Sequence, residues 1–156
     1  MEEKNKAWKT VSSKYLFRRP WLTVRCEDML LPNGNHIPEY YILEYPDWVN
    51  TIAITKDGKF VFVRQYRPGL GRTSYELCAG VCDKEDASPL VSAQRELWEE
   101  TGYGKGNWQE YMVISANPST HTNLTHCFLA TNVEPIDHQH LEDTEDLSVH
   151  LLTFEE

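Results

Sequence analysis

The chain has no long apolar run, no excess of basic residues and no paired-cysteine motif, and each absence removes a class of function. No stretch of 18 apolar residues occurs, so no membrane-spanning helix is expected. The opening Met1-Glu2-Glu3-Lys4-Asn5-Lys6 lacks the apolar segment of a secretory signal, so a soluble, cytoplasmic protein is expected. Lys and Arg number 15 against 24 Asp and Glu, a formal charge of −9 at pH 7. Such a balance argues against nucleic acid as a partner, because nucleic-acid-binding proteins carry a basic patch. Cys26, Cys78, Cys82 and Cys127 show neither CxxC nor zinc-ligand spacing, and buried, reduced thiols are expected. There is also no repeat, low-complexity tract or interdomain linker. A chain of 156 residues with 40% hydrophobic content suits a single domain, 1–156, with a substantial core.

What is present reads as strands around one important helix. Residues 21–31 and 36–45 are expected as strands flanking Pro32-Asn33-Gly34-Asn35, whose Asn-Gly marks a hairpin turn. A second hairpin pairs 51–55 with 60–66 across Lys56-Asp57-Gly58. Residues 75–78 form a short strand, and 108–115, 124–131 and 147–154 read as strands after the helix. The acidic stretch 134–146 is expected as a loop or a short helix with loop flanks. Such a mixture gives an α/β class with a mixed sheet.

The helix carries the chemistry. Ser88-Pro89 provides an N-cap and first-turn proline, and Gly102 stops the helix. Leu90, Ala93 and Leu97, flanked by Val91 and Trp98, form the core-facing stripe. Along one edge lie Glu96, Glu99 and Glu100, spaced i, i+3 and i+4, which crowds three carboxylates on a single face. Neighbouring carboxylates repel by a few tenths of a kcal/mol per pair, so folding alone gives no reason to gather them. A hard divalent cation does, since Mg²⁺ and Mn²⁺ take oxygen ligands. A solvated acidic face is the bland alternative. One Arg, three Glu and one Gly at fixed places would arise by chance in about one such chain in 10⁴.

Gly80 followed by Arg95-Glu96-Leu97-Trp98-Glu99-Glu100-Thr101-Gly102-Tyr103 resembles the Nudix box, the signature of hydrolases of nucleoside diphosphates linked to another group. Val63-Arg64-Gln65-Tyr66-Arg67-Pro68, Tyr75-Glu76-Leu77-Cys78-Ala79-Gly80 and Glu145-Asp146-Leu147-Ser148-Val149-His150 extend the resemblance to the ADP-ribose pyrophosphatase branch. It departs in two places. The spacing from Gly80 to Arg95 is one residue longer than in the family box, which leaves Glu85 and Asp86 as alternatives for its first acidic place. Cys78 stands where that branch has proline, a change expected to loosen the loop.

The resemblance implies an α/β/α sandwich with a mixed sheet and an N-terminal antiparallel hairpin. It divides the single domain into an arm at 1–48 and a core at 49–156. It places metal ligands at the Ala79 carbonyl and at Glu96 and Glu100, with Glu99 a ligand or a partner of the ligands and a member of the catalytic set. Two or more Mg²⁺ (or Mn²⁺) ions per site are implied, inverting the negative field locally around an anionic small-molecule substrate. Glu145 is the implied general base, with Glu142 and Asp143 as alternatives, and Arg67 the implied phosphate-binding residue. Arg95 is read as an ion-pairing residue that orients the loop acids or Glu99.

Phe17, Trp21, Tyr40, Tyr41 and Trp48 are either core and dimer contacts or a base-stacking surface, and core is the favoured reading. The branch implies a homodimer built through the N-terminal strands. Residues 117–123 form a turn-rich loop where relatives select substrate. His121 and His126 are read as hydrogen-bonding residues, and His138 with His140 as an exposed pair, with a transition-metal site the sharper alternative. The implied activity is metal-dependent hydrolysis of ADP-ribose or a related nucleoside diphosphate sugar to a nucleoside monophosphate and a sugar phosphate. The alternatives are another nucleoside diphosphate derivative, such as a dinucleotide or triphosphate, and a non-catalytic nucleotide-sugar sensor.

Overall fold

The computed structural model describes residues 6–156. Two compact units form: residues up to Tyr45 with Ser115–Asn123, and Pro46–Ile114 with Leu124–Glu156.

The first unit is built on a three-stranded antiparallel sheet of β1 (Lys9–Arg19), β2 (Leu22–Leu30) and β3 (His36–Glu44), in order β1-β2-β3. The expected β2/β3 hairpin forms. Gly34 takes φ 88° and its N–H bonds the Leu31 carbonyl at 2.9 Å, while Asn33 Oδ1 accepts the Asn35 N–H at 3.0 Å. The sequence reading missed β1, whose Lys- and Arg-rich ends obscure its alternation. It pairs with β2 through a two-residue turn, Pro20-Trp21, and the turn puts Trp21 at φ 63°. The favoured core reading of the arm aromatics fails in part: Trp21 is 80% exposed, Phe17 54%, and Tyr41 is exposed as well. Tyr40 is half-buried, packing edge-on against Trp8 at 5.5 Å with its hydroxyl donating to the Ser119 carbonyl.

The second unit holds the mixed sheet. Its strands are β4 (Trp48–Thr55), β5 (Phe60–Arg67), β6 (Arg72–Glu76), β7 (Cys78–Val81), β8 (Tyr103–Gly104), β9 (Asn107–Ile114), β10 (Thr125–Pro135) and β11 (Leu147–Leu152). The spine runs β11-β5-β4-β10-β8, with β6 on β5, β7 on β4 and β9 on β10. β4 and β10 run parallel and the other pairs antiparallel. Alternation along β4 buries Val49, Thr51, Ala53 and Thr55, and β5 does the same with Val61 and Val63. Ala53, Val61 and Val63 meet Leu97 of helix α1 (Pro89–Thr101), together with Cys78, Ala130, Val133 and Leu147, in the main core, while Val49 packs with Ala93 and Phe128 in a second cluster.

A mixed α/β fold with an N-terminal antiparallel hairpin is therefore what forms. Among the described residues α1 is the one helix, so the second helical layer of a full α/β/α sandwich is absent there, and 136–146 is loop. No helix among the described residues is long and apolar enough to cross a membrane.

Candidate active site

Helix α1 is fixed at both ends, and the fixing positions its carboxylates. Ser88 Oγ accepts the Val91 N–H at 3.4 Å, Pro89 occupies the first turn, and Gly102 closes the helix at φ 72° with its N–H on the Trp98 carbonyl at 2.7 Å. The loop after β10 satisfies two more terminal carbonyls. Gln139 Nε2 donates to the Glu100 carbonyl at 2.7 Å, and the His140 N–H to that of Glu99 at 2.8 Å.

Glu100 is only 5% exposed. Its carboxylate accepts from the Ala79 N–H and the Cys78 thiol, yet Oε2 has no hydrogen-bond partner. Burial, then the neighbouring Glu96 and Glu145 carboxylates, push its pKa up to about 8 against the opposing pull of the Ala79 N–H. Glu96 is raised as well, chiefly by burial and then by Glu99 and Glu145, with Arg95 pulling the other way. A Cβ at Gly80 would collide with the Glu96 carboxylate where it now stands, so glycine lets that carboxylate lie directly against β7. An unpartnered buried oxygen, crowded carboxylates and a bare glycine backbone make a set of hard oxygen donors. That set fits Mg²⁺ or Mn²⁺.

Arg95 is the hub that holds the site together. Its guanidinium reaches Glu96 Oε1 and Glu99 Oε2 at 2.9 Å each, Asp86 Oδ2 at 3.1 Å, Asp83 Oδ2 at 3.2 Å and the Val81 carbonyl at 3.0 Å. Burial disfavours its charge, but the bonds to Asp86, Glu96 and Glu99 outweigh that and raise its pKa. Of the two acids considered for the first acidic place, Asp86 bonds Arg95, while Glu85 is exposed. Cys78 does not loosen the loop as expected. It begins β7, is fully buried in the core and donates its thiol to Glu100.

Beside Gly80 lies a cleft of about 460 Å³ lined by Trp48, Val49, Asn50, Arg67, Ala79, Gly80, Val81 and Thr125. Arg67 enters it clamped to Glu76, with Nε to Oε2 at 2.9 Å and Nη2 to Oε2 at 2.7 Å. Those bonds raise its pKa and keep its planar fork charged. Glu76 was invisible as a partner in the sequence, because the β5/β6 hairpin alone brings it to Arg67. A larger cavity of about 520 Å³, lined by Phe60, Phe62, Tyr75, Leu152 and Phe154, includes neither Arg67 nor the Ala79–Gly80 backbone that lies against the Glu96 carboxylate. The chemistry therefore belongs to the smaller cleft.

Glu145 lies close enough to Glu96 and Glu100 to raise both their pKa values. Its Oε2 accepts the Glu142 N–H at 2.9 Å, which turns the loop. Arg64 points elsewhere, lying 5.7 Å over the Tyr75 ring. His126 is hydrogen-bonded to Glu110 at 2.7 Å. In the 117–123 loop, Asn117 bonds Thr120 at 2.9 Å and His121 packs edge-on against Tyr45 at 5.2 Å. All four cysteines are free; Cys26, Cys78 and Cys127 are buried and Cys82 half-buried.

Comparison with known proteins finds the same pattern. Residues 45–156 match the family model described as the NUDIX domain. The chain belongs to the Nudix family. Residues 8–43 match the nucleoside diphosphate sugar hydrolase N-terminal domain, so the three-stranded sheet has its own family signature in this Nudix chain. An ADP-ribose pyrophosphatase of Bacillus subtilis (strain 168) is 31% identical over 149 residues, 95% of this chain and 80% of its own. A methanol dehydrogenase activator of Bacillus methanolicus is 33% identical over 122 residues, 78% of this chain but 65% of its own. An ADP-ribose pyrophosphatase of Mycobacterium tuberculosis is 28% identical over 129 residues, 83% of this chain and 62% of its own. A crystal structure of an ADP compounds hydrolase superposes with a TM-score of 0.84 at 20% identity, covering 98% of this chain and 82% of that one, and so shares the fold.

Proposed function

We propose that this Nudix chain hydrolyses the diphosphate bond of ADP-ribose or a related nucleoside diphosphate sugar, giving a nucleoside monophosphate and a sugar phosphate. The observation that carries the proposal is Glu100, a buried carboxylate with an unpartnered oxygen, set against Glu96 and Gly80 at the edge of a cleft containing Arg67. The ADP-ribose pyrophosphatase relatives and the nucleoside diphosphate sugar hydrolase signature support the substrate class.

Glu96, Glu99, Glu100 and the Ala79 carbonyl hold the metal, Mg²⁺ or Mn²⁺, in two or more ions per site. When bound, such ions supply positive charge against the diphosphate oxygens and acidify an attacking water. Arg95 fixes Glu96 and Glu99 in place through its 2.9 Å bonds. Arg67, oriented by Glu76 through Nε and Nη2, holds a phosphate with the N–H donors of its fork that Glu76 does not take. Glu145 takes the proton from water as general base, poised beside the carboxylate cluster on a loop that turns back on itself. In this reading the protein is cytoplasmic, and the exposed aromatics of β1 and the β1–β2 turn are the contact surface of a homodimer.

The test is phosphate-monoester release from ADP-ribose, other nucleotide sugars, dinucleotides and triphosphates, each with Mg²⁺, Mn²⁺ or EDTA. Metal-dependent release strongest on ADP-ribose is the expected result. Strongest release from a dinucleotide or triphosphate would retain the chemistry and replace the substrate. Absence of release from every compound would favour the sensor.

A further inference from the structure

The loop that caps helix α1 carries a second group of metal-binding side chains that the hydrolytic reading does not use. Asp137, His138 and His140 each offer one donor atom, and the three atoms lie within 4.8 Å of one another. Asp137 sits at the centre, its Oδ1 at 2.7 Å from His138 Nδ1 and its Oδ2 at 3.0 Å from His140 Nε2.

The backbone beneath these residues is fixed. The Ile136 and Asp137 N–H groups both bond the Gly102 carbonyl, at 2.9 and 3.2 Å, and the His140 N–H bonds that of Glu99 at 2.8 Å. The His140 ring lies against Trp98 with centroids 4.2 Å apart, and the His138 ring against His140 at 4.3 Å. Most of the ordering that a three-ligand site requires is thus already supplied by contacts to the helix. Asp137 is ionised over the working pH range, its pKa lowered to about 2 by the His138 N–H and then by His140.

We propose that Asp137, His138 and His140 bind one borderline divalent transition ion, of the Zn²⁺, Ni²⁺ or Cu²⁺ class. Two imidazoles and one carboxylate suit such ions, whereas Mg²⁺ favours the all-oxygen set on α1. Metal–ligand bonds of about 2.0–2.2 Å put tetrahedral donors about 3.4 Å apart, so the present hydrogen-bonded separations need only a small opening. When the ion binds, the protons that now bridge Asp137 to the imidazoles move to the opposite ring nitrogens, or to solvent where an imidazole is doubly protonated. With three protein ligands, its remaining positions go to water.

Trp98 makes the site directly readable, because a paramagnetic ion on His140 quenches its fluorescence. The untagged full chain, held in excess Mg²⁺ to occupy the glutamates, is titrated with NiCl₂ by fluorescence and by calorimetry. Expected is saturable binding of one equivalent. The quench should be largely lost in Trp98→Phe with the calorimetric stoichiometry kept, and affinity should fall by about tenfold or more in His138→Ala and in Asp137→Asn. His138 is 78% exposed, so its removal tests the ligand without threatening the fold. His140→Phe keeps a ring against Trp98 and should also lose binding. Undiminished affinity in all three ligand variants would place the ion elsewhere and overturn the proposal, as would a quench that never saturates.

Discussion

The N-terminal sheet and helix α1 both break a folding rule, and they break it in opposite directions. On β1 and its turn, Phe17 and Trp21 are left in water, and Trp21 adopts φ 63°, a left-handed conformation that costs a bulky residue about 1–2 kcal/mol. On α1, Glu100 is taken out of water, and its Oε2 has no partner. Exposed apolar surface is satisfied by more apolar surface, buried anionic charge by a cation. In the proposed reading a second copy answers the first anomaly and a metal the second.

The largest expected effect comes from removing the charge. Glu100→Gln should lower the metal-dependent rate by several orders of magnitude, about 10³-fold or more, while the fold persists. Glu145→Gln should lower the rate by about 10²–10⁴-fold with metal dependence unchanged, because it removes a base and not a ligand. Initial rates across a Mg²⁺ series check both. Near-normal turnover of Glu100→Gln at limiting Mg²⁺ would sink the metal assignment.

A smaller effect, on stability, follows from the pKa of Glu100. The folded value of about 8 lies above the ordinary carboxylate value of 4.5, so between these two pH values the folded state binds more protons than the unfolded chain. Stability of the metal-free protein should then be greatest below pH 4.5 as far as this group is concerned, and fall as pH rises toward 8. The size is on the order of a few kcal/mol. Urea unfolding at a series of pH values in EDTA should show this slope. Glu100→Gln should flatten it, and Mg²⁺ should recover stability at pH 8. An unchanged slope in the variant would mean that the carboxylate is not held as buried and unpaired.

Much of the α1 side of the comparison was legible in the sequence. The i, i+3, i+4 carboxylates, the Ser88-Pro89 start and the Gly102 stop are local features, and local features survive into the fold. Sequence alone does not separate Asp86 from Glu85, since only the path of the loop shows which acid reaches Arg95. Cys78 was misread because a departure from a family pattern says nothing of where a thiol points, and here it points to Glu100. The sheet side was harder to read. β1 carries its apolar residues between basic ends and packs against no covering layer among the described residues of its unit, so its alternation lacks the contrast that marks a half-buried strand. The favoured core reading of Phe17 and Trp21 failed for the same reason: aromatic identity predicts burial somewhere, not burial within one chain.

The mildest expected effect is on association of the chain with itself. If a second copy covers β1 and the Pro20-Trp21 turn, the wild-type chain should sediment as a dimer at micromolar concentration. Burying a large apolar side chain contributes about 1.5–3 kcal/mol, so Phe17→Ser with Trp21→Ser should weaken association by about 10²-fold or more and yield monomer in sedimentation velocity. Mg²⁺ binding at the glutamates should persist in that variant, and the dimer should persist in Glu100→Gln, because the two anomalies answer to different partners. A wild-type monomer would remove the partner from the argument and leave the strained turn at Trp21 without its compensation. Loss of both properties in either variant would show that the two units are energetically one, and the contrast between them would fail with it.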